Sequence, residues 1–306
     1  MNFLCLRILP LLLFTASCTI WHKADDWDPQ GHWSDDEESV LIIKNYFEQR
    51  RPFGASADIT RNNEVEIFTV SVQNPKKKTK LGIKRVGTIG QVQFMRKAGY
   101  VLVERKAGWK TVIEDKKQIE KVHKYFDKIT MDGAVSPVAD KLGTVMFDCG
   151  DSGEMQPAPS PLEVIASIDG SKFAVINIEA DCKNTTGTLT FLNAKNLSVI
   201  EGPFSLRLKE LNQTDELIML KSAWLPSGGV FVGFAGGFGG RGFRGWKYQL
   251  GQEPAYVEQM PRTCLISDDF TNNQGKIARV LRGDKQDIYV SIERTRQNQV
   301  KPVHCP

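Results

Sequence analysis

The chain has 306 residues, of which 41% are hydrophobic and 25% charged, with a formal net charge of +4. This is the composition of a globular protein able to bury a substantial core, and it excludes a disordered or fibrous chain. Beyond the apolar run at residues 8–16, no stretch approaches the roughly 20 apolar residues that a membrane-crossing helix needs.

Arg7 precedes that run, which is about nine residues long, the length of a signal-peptide core. It ends in Thr15-Ala16-Ser17-Cys18. This tetrapeptide resembles the lipobox of bacterial lipoproteins, with Thr15 where leucine is commonest in that family. The resemblance implies that residues 1–17 are a cleaved signal peptide and that Cys18 is diacylated on sulfur and becomes the anchored N-terminus. Thr19 stands where aspartate favours inner-membrane retention in enteric lipoproteins, so the expected address is the outer membrane. The expected partners are then the membrane itself and an envelope protein or glycan, and not nucleic acid.

An oxidising compartment also gives the remaining cysteines a use. With Cys5 removed and Cys18 acylated, Cys149, Cys182, Cys264 and Cys305 remain, an even number that allows three pairings. Cys149 with Cys182 and Cys264 with Cys305 is the expected pairing, because each pair brackets about one structural unit. Free, buried thiols are the alternative.

Residues 19–38 carry seven acidic side chains against Lys23 alone, which reads as a solvated tether. Trp21, Trp27 and Trp33 recur within it every six residues and suit docking on the body or the headgroup zone. Asp26, Asp28, Gln30, Gly31, Ser34 and Glu37 also fall on positions 1, 3, 5, 6, 9 and 12 of an EF-hand-type calcium loop, with Gln30 in place of Asp or Asn. Calcium is therefore the one candidate cofactor. Next, Ser34 and Glu37 form a capping box ahead of Val40, Ile43 and Phe47, which predicts a helix ending near Arg51-Pro52.

Strand signals follow at 64–72 and 80–86, parted by Asn74-Pro75 and the run Lys76, Lys77, Lys78. Between residues 61 and 130 there are seventeen Lys plus Arg and seven Asp plus Glu, a net +10. This basic third suits an anionic partner such as lipopolysaccharide or phospholipid headgroups, or else a sheet rim whose lysines protect strand edges. Residues 91–95, 100–104, 109–113 and 119–126 read as four strands, with turns at 97–99 and 115–117. Helical spacing of Ile119, Val122, Phe126 and Ile129 offers an amphipathic helix as the alternative for the last.

Ala134-Val135-Ser136-Pro137 followed by residues 141–147 resembles the SPDGK hairpin of WD-repeat propeller blades, with Val138-Ala139-Asp140 in place of Asp-Gly. Gly150-Asp151-Ser152-Gly153 is similar to the nucleophile motif of chymotrypsin-like proteases, but Glu154 follows where glycine is required, so no nucleophile is assigned. Asp148, Asp151 and Glu154 are the densest acidic cluster beside a serine or cysteine.

Residues 161–203 give the clearest unit. Strands at 164–166 and 173–178 flank the turn pair Asp169-Gly170, and strands at 188–192 and 197–200 flank residues 193–196. The pattern returns at 218–224, 230–234, 243–250 and 255–258, and as a last hairpin at 277–281 and 287–293. Between 235 and 246 lies a glycine-rich loop whose Phe238, Arg241, Phe243 and Arg244 suit contact with a partner. Its G-x-G-x-x-G spacing is followed by no helix pattern, which excludes a dinucleotide site.

The expected fold is all-β, a β-propeller-like repeat of four-stranded antiparallel units over residues 51–306, preceded by an acylated tether and one helix over 18–50. A small α+β domain followed by a β-sandwich or small propeller is the alternative. The hairpin rhythm resembles bacterial propeller lipoproteins, including that of the outer-membrane protein assembly machinery. That resemblance implies a binding or scaffolding module, with an envelope hydrolase of glycan or peptide as the other reading.

Overall fold

A computed structural model describes residues 22–25, 30–50, 59–81, 89–150, 154–167, 169–181, 184–208, 220–225, 227–235, 242–261, 276–282 and 288–294. The leader, Cys18, Asp26, Asp28, Phe238, Arg241, Cys182, Cys264 and Cys305 lie outside these residues. The described part is all-β and β-propeller-like, a succession of antiparallel sheets.

The first sheet contains β1 (His22–Asp25), β2 (Gln30–Trp33), β3 (Ser39–Arg50), β4 (Ile59–Ser71) and β5 (Lys78–Leu81), with β1 and β2 both paired to the inner side of β3. The second is β6 (Ile89–Met95), β7 (Tyr100–Glu114), β8 (Lys117–Thr130), β9 (Val135–Asp148) and β10 (Met155–Pro157). The third, β11 (Leu162–Ala166), β12 (Lys172–Ala180), β13 (Thr185–Asn193) and β14 (Val199–Ser205), is a simple meander. So is the fourth, β15 (Leu220–Trp224), β16 (Val230–Ala235), β17 (Gly242–Tyr248) and β18 (Ala255–Pro261). A hairpin of β19 (Lys276–Arg282) and β20 (Ile288–Arg294) follows.

Successive sheets pack face to face. Leu41, Ile43 and Ile67 of the first meet Val92, Val101 and Ile129 of the second. Tyr100, Leu102 and Phe126 on the opposite face of the second meet Leu162, Phe173 and Val175 of the third. Ala174, Ile176 and Phe191 then turn the other face of the third towards Val230, Val232 and Tyr248 of the fourth. Alternation along each strand thus fills two cores at once.

The first strands of the sheets lie side by side along the inside. A parallel bridge joins Ser34, just after β2, to Phe94 on β6. Gln93 Nε2 donates to the Val164 carbonyl on β11 at 2.9 Å, and Ser222 on β15 donates to Glu163 on β11. At the other end of the series β19 contacts β2. The last described hairpin therefore touches the first sheet.

Several sequence expectations are corrected. Residues 39–50 form strand β3 and no helix, because Val40 and Ile42 are buried on one face and Leu41 and Ile43 on the other. A continuous apolar run of this kind contains helical spacing by chance. Residues 22–25 and 30–33 are paired strands, so the acidic segment is no free tether there. Of the residues of the calcium-loop pattern, Gln30 lies on extended β2, Ser34 and Glu37 lie in the turn after it, and Asp26 and Asp28 lie outside the described residues.

The two strands read at 100–104 and 109–113 are one, bulged between Ala107 and Trp109. Residues 117–130 are strand β8, not an amphipathic helix. The SPDGK-like hairpin is a single strand, β9, with a register shift opposite Phe126 and Asp127 that absorbs Pro137. Pro137 lies outside the short reach of β10, which pairs only residues 146–148, so its missing N–H deprives no neighbouring strand of a bond.

Phe191 is fully buried between the third and fourth sheets and stands edge-on to Phe204 and Trp224 at 6.0 and 5.6 Å. Phe191→Ala should lower stability by about 3–5 kcal/mol in chemical denaturation, the range for a large aromatic truncated in a packed core.

Candidate functional site

Two polar clusters lie where the sheets meet, and both arise from strand register. At the inside, β7 and β8 carry Glu104 and Lys124 on the face turned to the third sheet. Lys124 Nζ stands 3.3 Å from Glu104 Oε1 and donates to Ser160 Oγ at 2.6 Å. Glu104 Oε2 also accepts the Gln91 N–H at 3.3 Å, and a side chain at Gly90 would collide with the same carboxylate. On β11, Glu163 interrupts the apolar run and accepts from Ser222 of the fourth sheet.

Burial pushes the Glu163 carboxyl above the usual glutamate range, against the pull of Ser222, Lys124 and Lys221, and Glu104 adds to the rise. Two carboxyls with unlike surroundings therefore share one neighbourhood. Glu104 is paired with a lysine, whereas Glu163 is held by a hydroxyl.

The second cluster is at the outside, between the third and fourth sheets. Arg207 follows β14, and its backbone N–H donates to Tyr248 Oη at 3.1 Å. That bond sets its guanidinium over the Trp246 ring at 4.5 Å. Trp246 and Tyr256 are register partners on β17 and β18, and their rings meet edge-on at 5.4 Å. Arg207 is exposed, Tyr256 is 50% exposed, and no carboxylate pairs with Arg207 among the described residues. The Trp246 Nε1 is buried without an acceptor.

A third group of charges is engaged within the fold. In the turn between β2 and β3, Asp35 accepts the Lys97 N–H at 3.1 Å, and Asp36 and Glu38 each lie 3.0 Å from Arg96 Nη1. Asp35 also presses on Gly170, whose φ of +65° and lack of a side chain make room for it. Burial raises the Asp35 carboxyl. For Asp36 partial burial is outweighed by Ser34, the Glu38 N–H and Arg96, which hold it low. The acidic turn of the first sheet thus ties down turns of the second and third.

Of the residues proposed from sequence, Lys76, Lys77 and Lys78 are exposed on the turn before and at the start of the edge strand β5. Phe243 is buried with Leu225, Phe231 and Met260 on one face of the fourth sheet. Arg244 is half-buried on β17. Cys149 closes β9, which runs beside β12, where Lys141 Nζ meets Glu179 Oε1 at 2.6 Å. Glu154 is exposed just before β10, and Asp148 is half-buried opposite Met155 of β10. Glu163, Ser222, Glu104, Lys124, Arg207, Trp246 and Tyr256 escaped the sequence reading. A glutamate inside Leu162–Ala166 was the one local signal among them.

No protein-family model and no curated protein matches the chain. Among solved structures, an acylaminoacyl peptidase in complex with Z-Gly-Gly-Phe-chloromethyl ketone is similar, at 8% sequence identity and a TM-score of 0.36. The match covers 80% of this chain and 34% of that one, so the chain spans about a third of its length. At that score and identity it says nothing of activity.

Because the folded Glu163 carboxyl is raised, its contribution to stability is full below the ordinary glutamate range and is lost as pH rises through the folded value. Glu163→Gln should remove that loss, about 1.4 kcal/mol per pH unit at most, when urea midpoints are compared across pH. Lys124→Ala, which removes the cation beside the buried Glu104 carboxylate, should instead lower the urea midpoint at neutral pH.

Proposed function

We propose that the protein is a non-enzymatic binding or scaffolding module of the bacterial cell envelope, lipid-anchored through Cys18 in the outer membrane. The anchor is supported by Thr15-Ala16-Ser17-Cys18 after a signal-length apolar run. The Arg207, Trp246 and Tyr256 stack carries the binding reading. These three residue types dominate protein-interface hot spots, and here a backbone bond from Arg207 to Tyr248 pre-sets the arginine so that little ordering remains to be done on binding. Exposed Val199 and Ile200 on β14 add apolar area to the third sheet's outer strand, where an envelope protein or glycan would dock. Disulfides Cys149–Cys182 and Cys264–Cys305 belong to this reading, the first supported by the neighbouring courses of β9 and β12.

An envelope hydrolase of glycan or peptide is the second reading, and Glu104 with Glu163 favours it. Affinity capture from cross-linked envelopes separates the two. The acylated full-length protein should retain a partner that Arg207→Ala with Tyr256→Ala reduces at least tenfold, while Glu163→Gln leaves capture unchanged. Turnover of labelled cell-wall glycan or peptide by the purified protein, abolished by Glu163→Gln, would decide for the hydrolase. Cys18→Ser should abolish incorporation of radiolabelled palmitate, and a non-reducing peptide map should recover Cys149 joined to Cys182.

A further inference from the structure

The outer strands of the first four sheets differ in how they close their ladders. β5 carries Lys78 and Lys80. β10 is three residues long, and β9, left open beyond it, carries Pro137 and Lys141. Pro203 interrupts β14. Lysines, prolines and short strands are the usual devices that keep an edge from pairing with another chain. β18 has neither lysine nor proline before its last residue, Pro261. It pairs with β17 alone, and Ala255, Tyr256, Glu258 and Gln259 are exposed.

Register sets what this edge offers. Ala255, Tyr256 and Val257 follow β17 without interruption, and the ladder then shifts so that Glu258 and Gln259 together oppose Arg244. Val257 and Met260 pack with Phe231 and Phe243 on one face of the sheet. Tyr256 and Glu258 therefore stand on the other, the face of Trp246 and of the Arg207 guanidinium above it. Among the described residues Arg207 is exposed with no carboxylate partner, and Glu258 is exposed with no cation. One face of one open edge thus holds an unpaired cation, an unpaired anion and a tyrosine that is 50% exposed.

We propose that β18 is the contact of a homodimer, in which two copies pair antiparallel about a two-fold axis at Tyr256. Such a layout is self-complementary. Ala255 lies opposite the partner's Val257, the two Tyr256 rings meet across the axis, and the partner's Glu258 comes diagonally beside Tyr256 on the face that carries Arg207. Aromatic pairs and opposite charges are the cross-strand neighbours that stabilise a sheet. Glu253 lies in the turn before the strand, outside the paired stretch. A glycan would leave the outward N–H and C=O groups of the edge unmet, whereas a second strand satisfies them. The shift after Val257 keeps the regular pairing short, well under the ~800 Å² per partner of a stable interface, so the dimer is weak and depends on concentration. This deepens the binding reading and rests on it, because the Arg207, Trp246 and Tyr256 stack is the same surface.

The test is sedimentation equilibrium of the purified chain from Thr19 to Pro306, which keeps every described strand and lacks the apolar leader. A monomer–dimer equilibrium is expected. Tyr256→Lys, which sets like charges across the axis, and Arg207→Glu, which sets a carboxylate against the partner's Glu258, should each weaken it roughly fivefold or more. Arg207→Glu combined with Glu258→Arg should restore it. Mild oxidation of Tyr256→Cys should give a disulfide-linked dimer, while Ile200→Cys, on the outer strand of the third sheet, stays monomeric; this arm stands even where a charge variant melts early. A monomer at every concentration up to about 1 mM, a dimer that folded Tyr256→Lys leaves unchanged, an exchanged pair that does not associate, or Ile200→Cys linking as readily as Tyr256→Cys would overturn the proposal. Capture of a different envelope protein through Arg207 while the purified chain stays monomeric would leave the binding reading standing and remove the dimer.

Discussion

Two-sided burial is the constraint on which this structure depends. Strand β12 shows it most directly, sending Phe173 and Val175 into one core and Ala174 and Ile176 into the next. A sheet apolar on both faces needs a cover on each, so sheets must follow one another until the series meets its own beginning. The contacts along the inside are polar and few: the Ser34–Phe94 bridge, the Gln93 amide on Val164, and Ser222 on Glu163. Apolar area holds the sheets together, and these bonds fix how they are rotated against each other. At the outside, edge strands carry features that discourage further pairing, Lys78 and Lys80 on β5 and Pro203 on β14.

Charge is distributed along the same lines. The acidic residues near the start of the chain are spent inside the fold, where Asp35, Asp36 and Glu38 grip the turn at Arg96 and Lys97. On the second sheet, Arg105 pairs with Asp127 on the face towards the first sheet and Lys124 pairs with Glu104 on the face towards the third. Past Ile119 the same sheet ends in a short turn where Glu114 pairs with Lys121 and Asp115 precedes Lys116.

The third and fourth sheets were legible from sequence because their strands are short, their turns are marked by Asp169-Gly170 or Gly228-Gly229, and each hairpin joins neighbours in the chain. The first two sheets were less so. Val40, Leu41, Ile42 and Ile43 belong to a strand covered on both sides, and an unbroken apolar run has no alternation to betray it. The stretch 100–113 was read as two strands and Ser136-Pro137 as part of a hairpin, yet the ladder passes both by shifting register. The polar clusters were hidden for another reason. Glu163 and Ser222 are 59 residues apart, and Arg207 comes over Trp246 only through the packing of two sheets. Such meetings are products of register and have no local spelling.

The contact between β19 and β2 joins the last described hairpin to the first described sheet. Its sequence separation is close to the length of the chain, the kind of pairing whose loop entropy must be met before any reward arrives. The first sheet therefore lacks that contact until the last described hairpin has been made. A ribosome delivers most of the described strands between the two, and a chaperone holding that early sheet would be guarding an unfinished seam.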